Sequence, residues 1–322
     1  HARRAGELYT CQGHAKEKRG PEKIQRGLPL NQVPLHSDPG SASMSKLRLV
    51  CLTMLAMLAF AGNSLLCRAA LERTDIDAAS FTTIRLLSGA VMLWMIVRLR
   101  APAAAGAGNW FSAFALFAYA AGFSFAYLSL SAATGALLLF AAVQATMVGH
   151  GLWRGERLMP LRWTGLMLAM CGLVLLLSPG LAAPPLQAAA MMLCAGIAWG
   201  VYSLRGKGKG DPLRVTAGNF LRAVAFSTVL SLSMSDRTVW DASGVGYAIV
   251  SGGLTSGLGY AVWYTALPAL KANQAATIQL SVPLIAAFGA VLLLGEPATV
   301  RLVLASVAIV GGIALTVLRR SA

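Results

Sequence analysis

The chain has 322 residues, of which 57% are hydrophobic and only 12% are charged. Soluble domains carry about 25% charged residues, so this composition excludes an ordinary soluble protein. The formal net charge of +15 would suggest nucleic-acid binding in a soluble chain. Here, however, most basic residues stand at the ends of apolar runs, as membrane topology requires. We therefore expect a protein embedded in a lipid bilayer, with no nucleic-acid partner.

The first 43 residues are polar, contain Pro and Gly, and show no apolar period. Such a segment buries too little apolar surface to fold alone. The composition changes abruptly at Met44, the first methionine. We expect residues 1–43 to be either upstream sequence included by an early start assignment or a disordered cytoplasmic tail. Their lack of an apolar core argues against a signal peptide.

Ten apolar runs follow Met44, and each approaches the roughly 20 residues that a helix needs to cross a bilayer. The breaks between them are short, and several carry Pro, Gly or clustered charge. The sequence therefore predicts an all-α membrane protein with ten transmembrane helices. The predicted spans are residues 46–69, 79–98, 109–129, 132–153, 161–178, 186–205, 213–234, 243–267, 272–294 and 298–318.

Basic residues are distributed unevenly between the two ends of these spans. With the N-terminus in the cytoplasm, the opposite ends carry only Arg68, Arg73, Arg237 and Arg301. The cytoplasmic ends then carry Lys46, Arg48, Arg98, Arg100, Arg154, Arg157, Arg162, Arg205, Lys207, Lys209, Arg214, Lys271, Arg319 and Arg320. Because Lys and Arg concentrate in cytoplasmic loops, both termini are predicted to face the cytoplasm.

Two stretches of the chain resemble each other, residues 127–156 and residues 264–296. Each begins at the end of one apolar segment, passes a short break and continues in an apolar run closed by Gly-Glu. The residues after the two Gly-Glu pairs also agree, since Arg162 aligns with Arg301. The second helices of the two halves agree through Arg85 and Arg222.

Five helices separate the two copies. Because that number is odd, the second copy must cross the membrane in the opposite sense to the first. The sequence thus predicts a 5+5 inverted repeat, with one five-helix unit over residues 44–180 and another over residues 181–322. Inverted repeats of this kind build secondary transporters, whose substrate site lies near the midplane where the halves meet.

The repeat, the Gly-Glu pairs and the aromatic-Gly pattern resemble the drug/metabolite transporter superfamily, specifically its ten-helix EamA-type members. The first predicted helix has Ala61-Gly62 where that family commonly has Trp-Gly, whereas the sixth keeps Trp199-Gly200. The resemblance covers Met44 to the C-terminus. It implies a helical bundle that exchanges small metabolites across a membrane, often exporting amino acids or related compounds.

Two arginines lie several residues inside predicted spans, where a charge normally faces a cavity or a partner. Arg85 and Arg222 are therefore candidate anchors for a substrate carboxylate, which guanidinium binds well. The alternative is structural, with each arginine donating to carbonyls at a helix end or extending its charge to the membrane surface.

Three titratable residues near the ends of spans are candidates for proton coupling. Glu156 and Glu296 close the fourth and ninth predicted helices, and no Asp or Glu occurs deeper in any span. His150 lies near the end of the fourth and is a candidate member of a proton relay. The alternative for all three is a structural hydrogen bond at a helix end or to a neighbouring helix.

Uncharged polar and aromatic residues within the spans complete the candidate substrate cavity. Buried amides need partners, so each bonds another helix or meets water and ligand. Aromatic residues three or four positions apart share one helix face and can line a pocket. The candidates of these two kinds are Asn63, Gln144, Gln279, Trp199, Tyr202, Tyr260 and Trp263.

No catalytic motif, phosphate-binding loop or metal-ligand pattern is visible, so we expect neither an enzyme, nor a cofactor, nor a metal site. The predicted function is a secondary transporter of small metabolites, an exporter in a bacterial-type inner membrane. Two alternatives stay open: a nucleotide-sugar or lipid-linked sugar carrier, and a membrane scaffold subunit without transport. The oligomeric state is open too, a homodimer included.

Overall fold

The structure is a computed structural model that describes residues 45–100, 106–155, 160–178, 183–206, 210–270 and 272–318. The predicted N-terminal tail, residues 1–43, lies outside the described residues, and so does the candidate Glu156.

The described chain is helical over most of each predicted span. The first seven helices are α1 Lys46–Arg73, α2 Ala78–Leu99, α3 Trp110–Tyr127, α4 Ala132–Trp153, α5 Pro160–Leu177, α6 Leu186–Arg205 and α7 Pro212–Ser233. The eighth stretch is composite: α8 Ala242–Ile249, a π-helical segment Val250–Leu258 and α9 Gly259–Ala266. The ninth comprises α10 Ala272–Gln279, α11 Ser281–Gly289 and a second π-helical segment, Ala290–Leu294; α12 Val300–Leu318 is the tenth. Short 3₁₀ turns cover Ser235–Arg237 and Leu267–Ala269.

Ten helical stretches therefore occupy the described residues where the sequence predicts ten spans. Six of them, α1 to α4, α6 and α7, are long and apolar enough to cross a membrane by length and composition. The predicted bounds differ from the observed ones by a few residues, most of all at α1, which continues to Arg73. The all-helical, multi-pass architecture is confirmed.

The ninth stretch is interrupted close to Pro283, where a kink is expected. α10 ends at Gln279 and α11 begins at Ser281. Proline has no N–H to donate to the carbonyl four positions earlier, which here is that of Gln279. The interruption at Leu280 thus directly follows the residue whose carbonyl loses its hydrogen bond.

Polar side chains define where several helices begin. Asp77 accepts hydrogen bonds from the first-turn amides of α2, and Asp211 accepts one from Leu213 of α7. Asn109 and Asp241 do the same for α3 and α8, each bonding the amide three residues ahead. These caps satisfy amides that otherwise lack a partner in a helix.

The main helix contacts join helices that are distant in sequence. α3 packs against α6, and the composite eighth stretch packs against α1. α4 also packs against α6, and α11 also packs against α1. α2 lies against α7 and against the π-helical segment Val250–Leu258, while α5 lies against α12.

Glycine allows the π-helical segment to approach α2 closely. A side chain at Gly252 would collide with the Arg85 carbonyl and the Ser88 hydroxyl, and one at Gly257 would lie 2.9 Å from Met92. Gly253 has more room, with Met92 Cε 3.7 Å from its Cβ position. Small residues at helix contacts permit this backbone approach in membrane proteins.

Two sets of contacts join helix ends that are distant in sequence. Arg73 Nη2, at the end of α1, donates to the carbonyls of Leu293 and Leu294 at 3.2 and 3.1 Å. Arg100 Nη2, directly after α2, donates to the Thr265 hydroxyl of α9 at 3.1 Å. We call these the Arg73 end and the Arg100 end. α1 thus ends beside the end of the ninth stretch, and α2 ends beside the end of the eighth.

Candidate functional site

Arg85 of α2 is buried near the centre of the helix contacts, with 3% of its surface exposed. It lies seven residues inside α2, about 10 Å along the helix axis from Ala78. Its Nη2 donates to the Tyr119 hydroxyl at 3.1 Å, and the guanidinium carbon lies 4.9 Å from the centre of the Phe123 ring. The other terminal nitrogen, Nη1, is buried and has no hydrogen-bond partner among the described residues.

Tyr119 of α3 connects Arg85 to a polar network from two other helices. Its hydroxyl also accepts a hydrogen bond from Asn63 Nδ2 of α1 at 3.2 Å. Asn63 Oδ1 in turn accepts from the hydroxyls of Ser251 at 2.7 Å and Thr255 at 3.5 Å. Hydroxyls of the π-helical segment thus orient the Asn63 amide of α1, and that amide donates a hydrogen bond to Tyr119.

Aromatic rings of α6 and α9 pack against one side of this network. Trp199 lies 4.8 Å from Tyr119, 5.3 Å from Tyr202 and 5.7 Å from Tyr260, measured between ring centres. Phe60 of α1 then connects Tyr260 to Trp263 at 5.6 and 6.2 Å. We call this set the central cluster; its members are Phe60, Asn63, Arg85, Tyr119, Phe123, Trp199, Tyr202, Ser251, Thr255, Tyr260 and Trp263.

The central cluster unites six of the predicted cavity residues, namely Asn63, Arg85, Trp199, Tyr202, Tyr260 and Trp263. These residues do not form the open polar chamber that the repeat suggests, because their aromatic rings are packed against one another. A pocket beside Tyr202 and Tyr264, towards the Arg100 end, has a volume of about 20 Å³, enough for roughly one water. The site is closed in this conformation.

Arg222, the predicted repeat partner of Arg85, lies elsewhere. Its Nη1 donates to the carbonyls of Gly218 and Ala107, and its guanidinium lies over the Trp110 ring, with the guanidinium carbon 5.8 Å from the ring centre. This is the structural alternative left open by the sequence. Arg222 is half-buried at the start of α3 and does not contribute a free donor to the central cluster.

Two predicted amides are also separate from the cluster. Gln144 on α4 and Gln279 at the end of α10 are both half-buried. Within the described part of the chain, no hydrogen bond connects either amide to the central cluster. Their sequence positions indicated depth in the membrane, but depth alone does not determine which neighbour a side chain faces.

Glu296 connects the ninth helical stretch to α4. Its carboxylate accepts hydrogen bonds from the backbone amides of Ala132 at 2.6 Å and Ala133 at 3.4 Å, and Arg68 Nε lies 3.8 Å away. It therefore caps the N-terminus of α4, where a negative charge is also favoured by the helix dipole. This geometry agrees with the structural alternative for Glu296 at a helix end.

His150, the third candidate for proton coupling, lies in the last turn of α4. Its ring centre is 6.1 Å from that of Trp153. Glu156 lies outside the described residues.

Sequence reasoning missed Tyr119, Phe123, Ser251 and Thr255, although each carried a signal. Tyr119, Phe123 and Tyr127 recur every four residues in α3 and so share one face. Ser251 and Thr255 have the same spacing within a glycine-rich run. Small hydroxyl residues and tyrosines are common in apolar helices, so their meeting with Asn63 and Arg85 required the tertiary structure.

Comparison with known proteins identifies the family. The family model of the EamA-like transporter family matches residues 186–318. Residues 186–318 of the chain belong to the EamA-like transporter family. This EamA-like transporter is 58% identical over 269 residues to "Uncharacterized protein PA1977" of Pseudomonas aeruginosa, a match covering 83% of the chain and 94% of that protein.

A more distant relative is the threonine/homoserine exporter RhtA of Salmonella typhimurium. It is 30% identical over 168 residues, covering 50% of this chain and 57% of that protein. A solved crystal structure resembles the fold with a TM-score of 0.58 at 19% identity, covering 85% of this chain and 98% of that one. The EamA-like transporter is thus an integral multi-pass membrane protein of the drug/metabolite transporter type, and the comparisons point to transport rather than to enzyme activity.

Proposed function

We propose that this EamA-like transporter is a secondary exporter of small metabolites, amino acids or related compounds, in a bacterial-type inner membrane. The observation that carries the proposal is the central cluster. It combines a buried cation, an amide, hydroxyls and aromatic faces at the place where α1, α2 and α3 meet α6, α9 and the π-helical segment Val250–Leu258. Transport proceeds by alternating access, with this cluster opening to each side in turn.

Alternating access requires two comparable halves, and the helix contacts support them. If residues 44–180 and 181–322 are repeats, α1 corresponds to α6 and α3 to the composite eighth stretch. The contact of α3 with α6 then corresponds to that of the eighth stretch with α1. In the same way, the contact of α4 with α6 corresponds to that of α11 with α1. Such reciprocity is expected of halves related by a twofold axis in the membrane plane.

Details at the helix ends also support the repeat. Asp77 and Asp211 cap corresponding helices, α2 and α7, through their side chains. Gly155 and Gly295, the glycines of the two Gly-Glu pairs, both have positive φ angles, of 84° and 72°. Glycine adopts this left-handed conformation readily, so it ends both helices in the same way.

The match to the family is a further argument for the repeat. The family model covers residues 186–318, which contain α6 to α12 and nothing of α1 to α5. A unit of five membrane crossings can therefore be recognised as a family domain. This agrees with a second repeat over residues 181–322.

Amino acids are the substrates that the site and the relatives favour together. The relative RhtA is named as an exporter of threonine and homoserine. The central cluster presents one guanidinium for a carboxylate and the faces of Trp199 and Tyr260 for an ammonium group, which aromatic rings attract. Neither a nucleotide-sugar nor a lipid-linked sugar carrier is favoured, because the second arginine that would bind further phosphate charge, Arg222, is engaged with carbonyls.

The test is transport by the purified protein in proteoliposomes. Vesicles loaded with a mixture of unlabelled amino acids are expected to accumulate labelled amino acids by exchange, and vesicles loaded with nucleotide-sugars are not expected to accumulate labelled nucleotide-sugars. Empty vesicles and vesicles with the protein denatured serve as controls. Exchange of nucleotide-sugars alone would support the alternative carrier, and absence of any exchange would support the scaffold.

A further inference from the structure

We propose that the carboxylate of the transported molecule binds between Arg85 Nη1 and the Tyr119 hydroxyl, so that the substrates are small molecules with one carboxylate. The inference rests on the proposed function and deepens it, since it names the group that the site recognises. Two observations support it. The hydrogen bonds described in the central cluster leave donors of Arg85 and Tyr119 without acceptors. Among the described residues, the Arg85 guanidinium has no carboxylate beside it, whereas that of Arg68 has two.

The hydrogen bonds around Tyr119 leave two donors without acceptors. The hydroxyl oxygen accepts from both Arg85 Nη2 and Asn63 Nδ2, so its own hydrogen must point to a third group. Arg85 Nη1 has no partner among the described residues. A carboxylate offers two acceptor oxygens to two adjacent donors.

The amide oxygen of the network is already engaged. Asn63 Oδ1 accepts from the hydroxyls of Ser251 and Thr255. Those hydroxyls also orient the amide so that its Nδ2 faces Tyr119. Asn63 is therefore a positioning residue.

The charge of Arg85 is also uncompensated, and Arg68 shows the contrast. Arg68 Nε likewise lacks a hydrogen-bond partner among the described residues, but its guanidinium lies 2.7 Å from Glu72 and 3.8 Å from Glu296. No carboxylate contacts Arg85 within the described chain, and the sequence places no Asp or Glu deep in any span. A buried, unpaired charge is costly in a membrane, which is a reason to expect a ligand there.

The single positive charge of Arg85 favours a ligand with one negative charge. One guanidinium neutralises one negative charge, so a monocarboxylate produces a neutral pair, whereas a diphosphate would leave negative charge in a low-dielectric site. A second, positive group can bind the ring faces of Trp199, 4.8 Å from Tyr119 between ring centres, and of Tyr260 beside it. An amino acid satisfies both conditions without a buried acidic residue.

The experiment measures binding to the purified full-length protein in detergent by thermal shift. Its probes are a panel of amino acids and, for each, the carboxamide that replaces the carboxylate. At least one amino acid is expected to raise the melting temperature, with its carboxamide binding at least tenfold more weakly. Arg85→Gln and Tyr119→Phe are expected to reduce that discrimination, the first to near unity.

A second readout separates ligand binding from a structural role of Arg85. Without ligand, Arg85→Gln is expected to raise the melting temperature, because it removes an unpaired buried charge. Arg222→Gln is the matched control: its guanidinium is engaged on two carbonyls, so the variant is expected to lower the melting temperature and to keep the acid-to-amide discrimination.

The proposal would be overturned by equal binding of acid and amide by the wild type, by undiminished discrimination in Arg85→Gln, or by no binding of any carboxylate in the panel. Exchange of sugars or amides by the same protein in proteoliposomes would show that transport stands while the carboxylate site is wrong. A lower melting temperature for ligand-free Arg85→Gln would assign Arg85 to the scaffold.

Discussion

Arg85 and Arg222 are the same residue type at places that the proposed repeat relates, yet their surroundings differ. Arg222 uses its donors on backbone carbonyls beside a loop. Arg85 is enclosed by Tyr119 and Phe123 and retains a free donor. At this scale, the environment of a side chain decides its function, because a guanidinium already engaged with carbonyls has less to offer a ligand.

Gly252 provides a test at the residue scale. Its Cβ position is occupied by the Arg85 carbonyl and Ser88 Oγ, so Gly252→Ala must separate the π-helical segment from α2. We expect a loss of about 1–3 kcal/mol in stability, as for other overpacked sites, together with weaker substrate binding because Ser251 and Thr255 move away from Asn63. Thermal unfolding and binding to the purified variant measure the two effects.

The control is Gly246→Ala on α8, where an added Cβ would meet no atom within 4 Å. Alanine favours the helix over glycine by up to about 1 kcal/mol, so this variant should be neutral or slightly stabilised. If both variants behaved alike, the close contact between the π-helical segment and α2 would be contradicted.

Among the elements, the composite eighth stretch determines the site. A π-helical segment places about one more residue in each turn than an α-helix does, and such segments often occur at functional sites. Here it presents Ser251 and Thr255 to Asn63 while its glycines meet α2. The outer elements contribute differently: α5 and α12 pack chiefly on each other, through close contacts at Gly172 and Gly312.

The junction between Glu296 and α4 can be tested as an element-scale contact. The Glu296 side chain is only 9% exposed and caps two backbone amides. Glu296→Ala is therefore expected to lower the free energy of unfolding by about 0.5–2 kcal/mol, the range for lost helix caps. Glu296→Gln, which keeps an acceptor, should cost less. Unfolding of the purified variants by heat or denaturant measures the difference.

Glu72→Ala is the matched control, because that carboxylate also contacts Arg68 but is 39% exposed. Exposed ion pairs contribute at most about 1 kcal/mol. A Glu72 variant less stable than the Glu296 variant would show that the charge of Arg68, rather than the cap on α4, dominates at the Arg73 end.

At the scale of the whole molecule, we expect successive helices to alternate in direction, with the α1–α2 loop and the α6–α7 loop at opposite ends. Polar contacts join elements distant in sequence at both ends, such as Arg73 with Leu293 and Arg100 with Thr265. The sequence predicts most of the basic residues at the end that carries Arg100, so we expect that end to face the cytoplasm.

Topology reporters test this orientation. A reporter active only in the cytoplasm should be active when it is inserted in the α6–α7 loop and inactive in the α1–α2 loop. A reporter active only outside should show the reverse pattern. Activity of one reporter in both loops would contradict the alternation, and an exchanged pattern would invert the proposed orientation without changing the fold.

The amino-acid sequence by itself determined the number and approximate bounds of the helical stretches. A chain in lipid must satisfy its backbone hydrogen bonds within each span, so a long apolar run bounded by Pro, Gly and charge has few alternatives to a helix. The sequence also indicated Asn63, Arg85 and Trp199 as polar or aromatic groups in unusual surroundings. Family membership followed from the same patterns.

Only the tertiary structure decided which of these residues meet. The spans are apolar around most of their circumference, so their sequences carry little information on which face meets which neighbour. The rotation and depth of each helix are determined by packing with helices distant in the chain, which brought Tyr119 to Arg85 and turned Arg222 towards Ala107. For the same reason, the closed state of the central cluster could not be derived from the sequence.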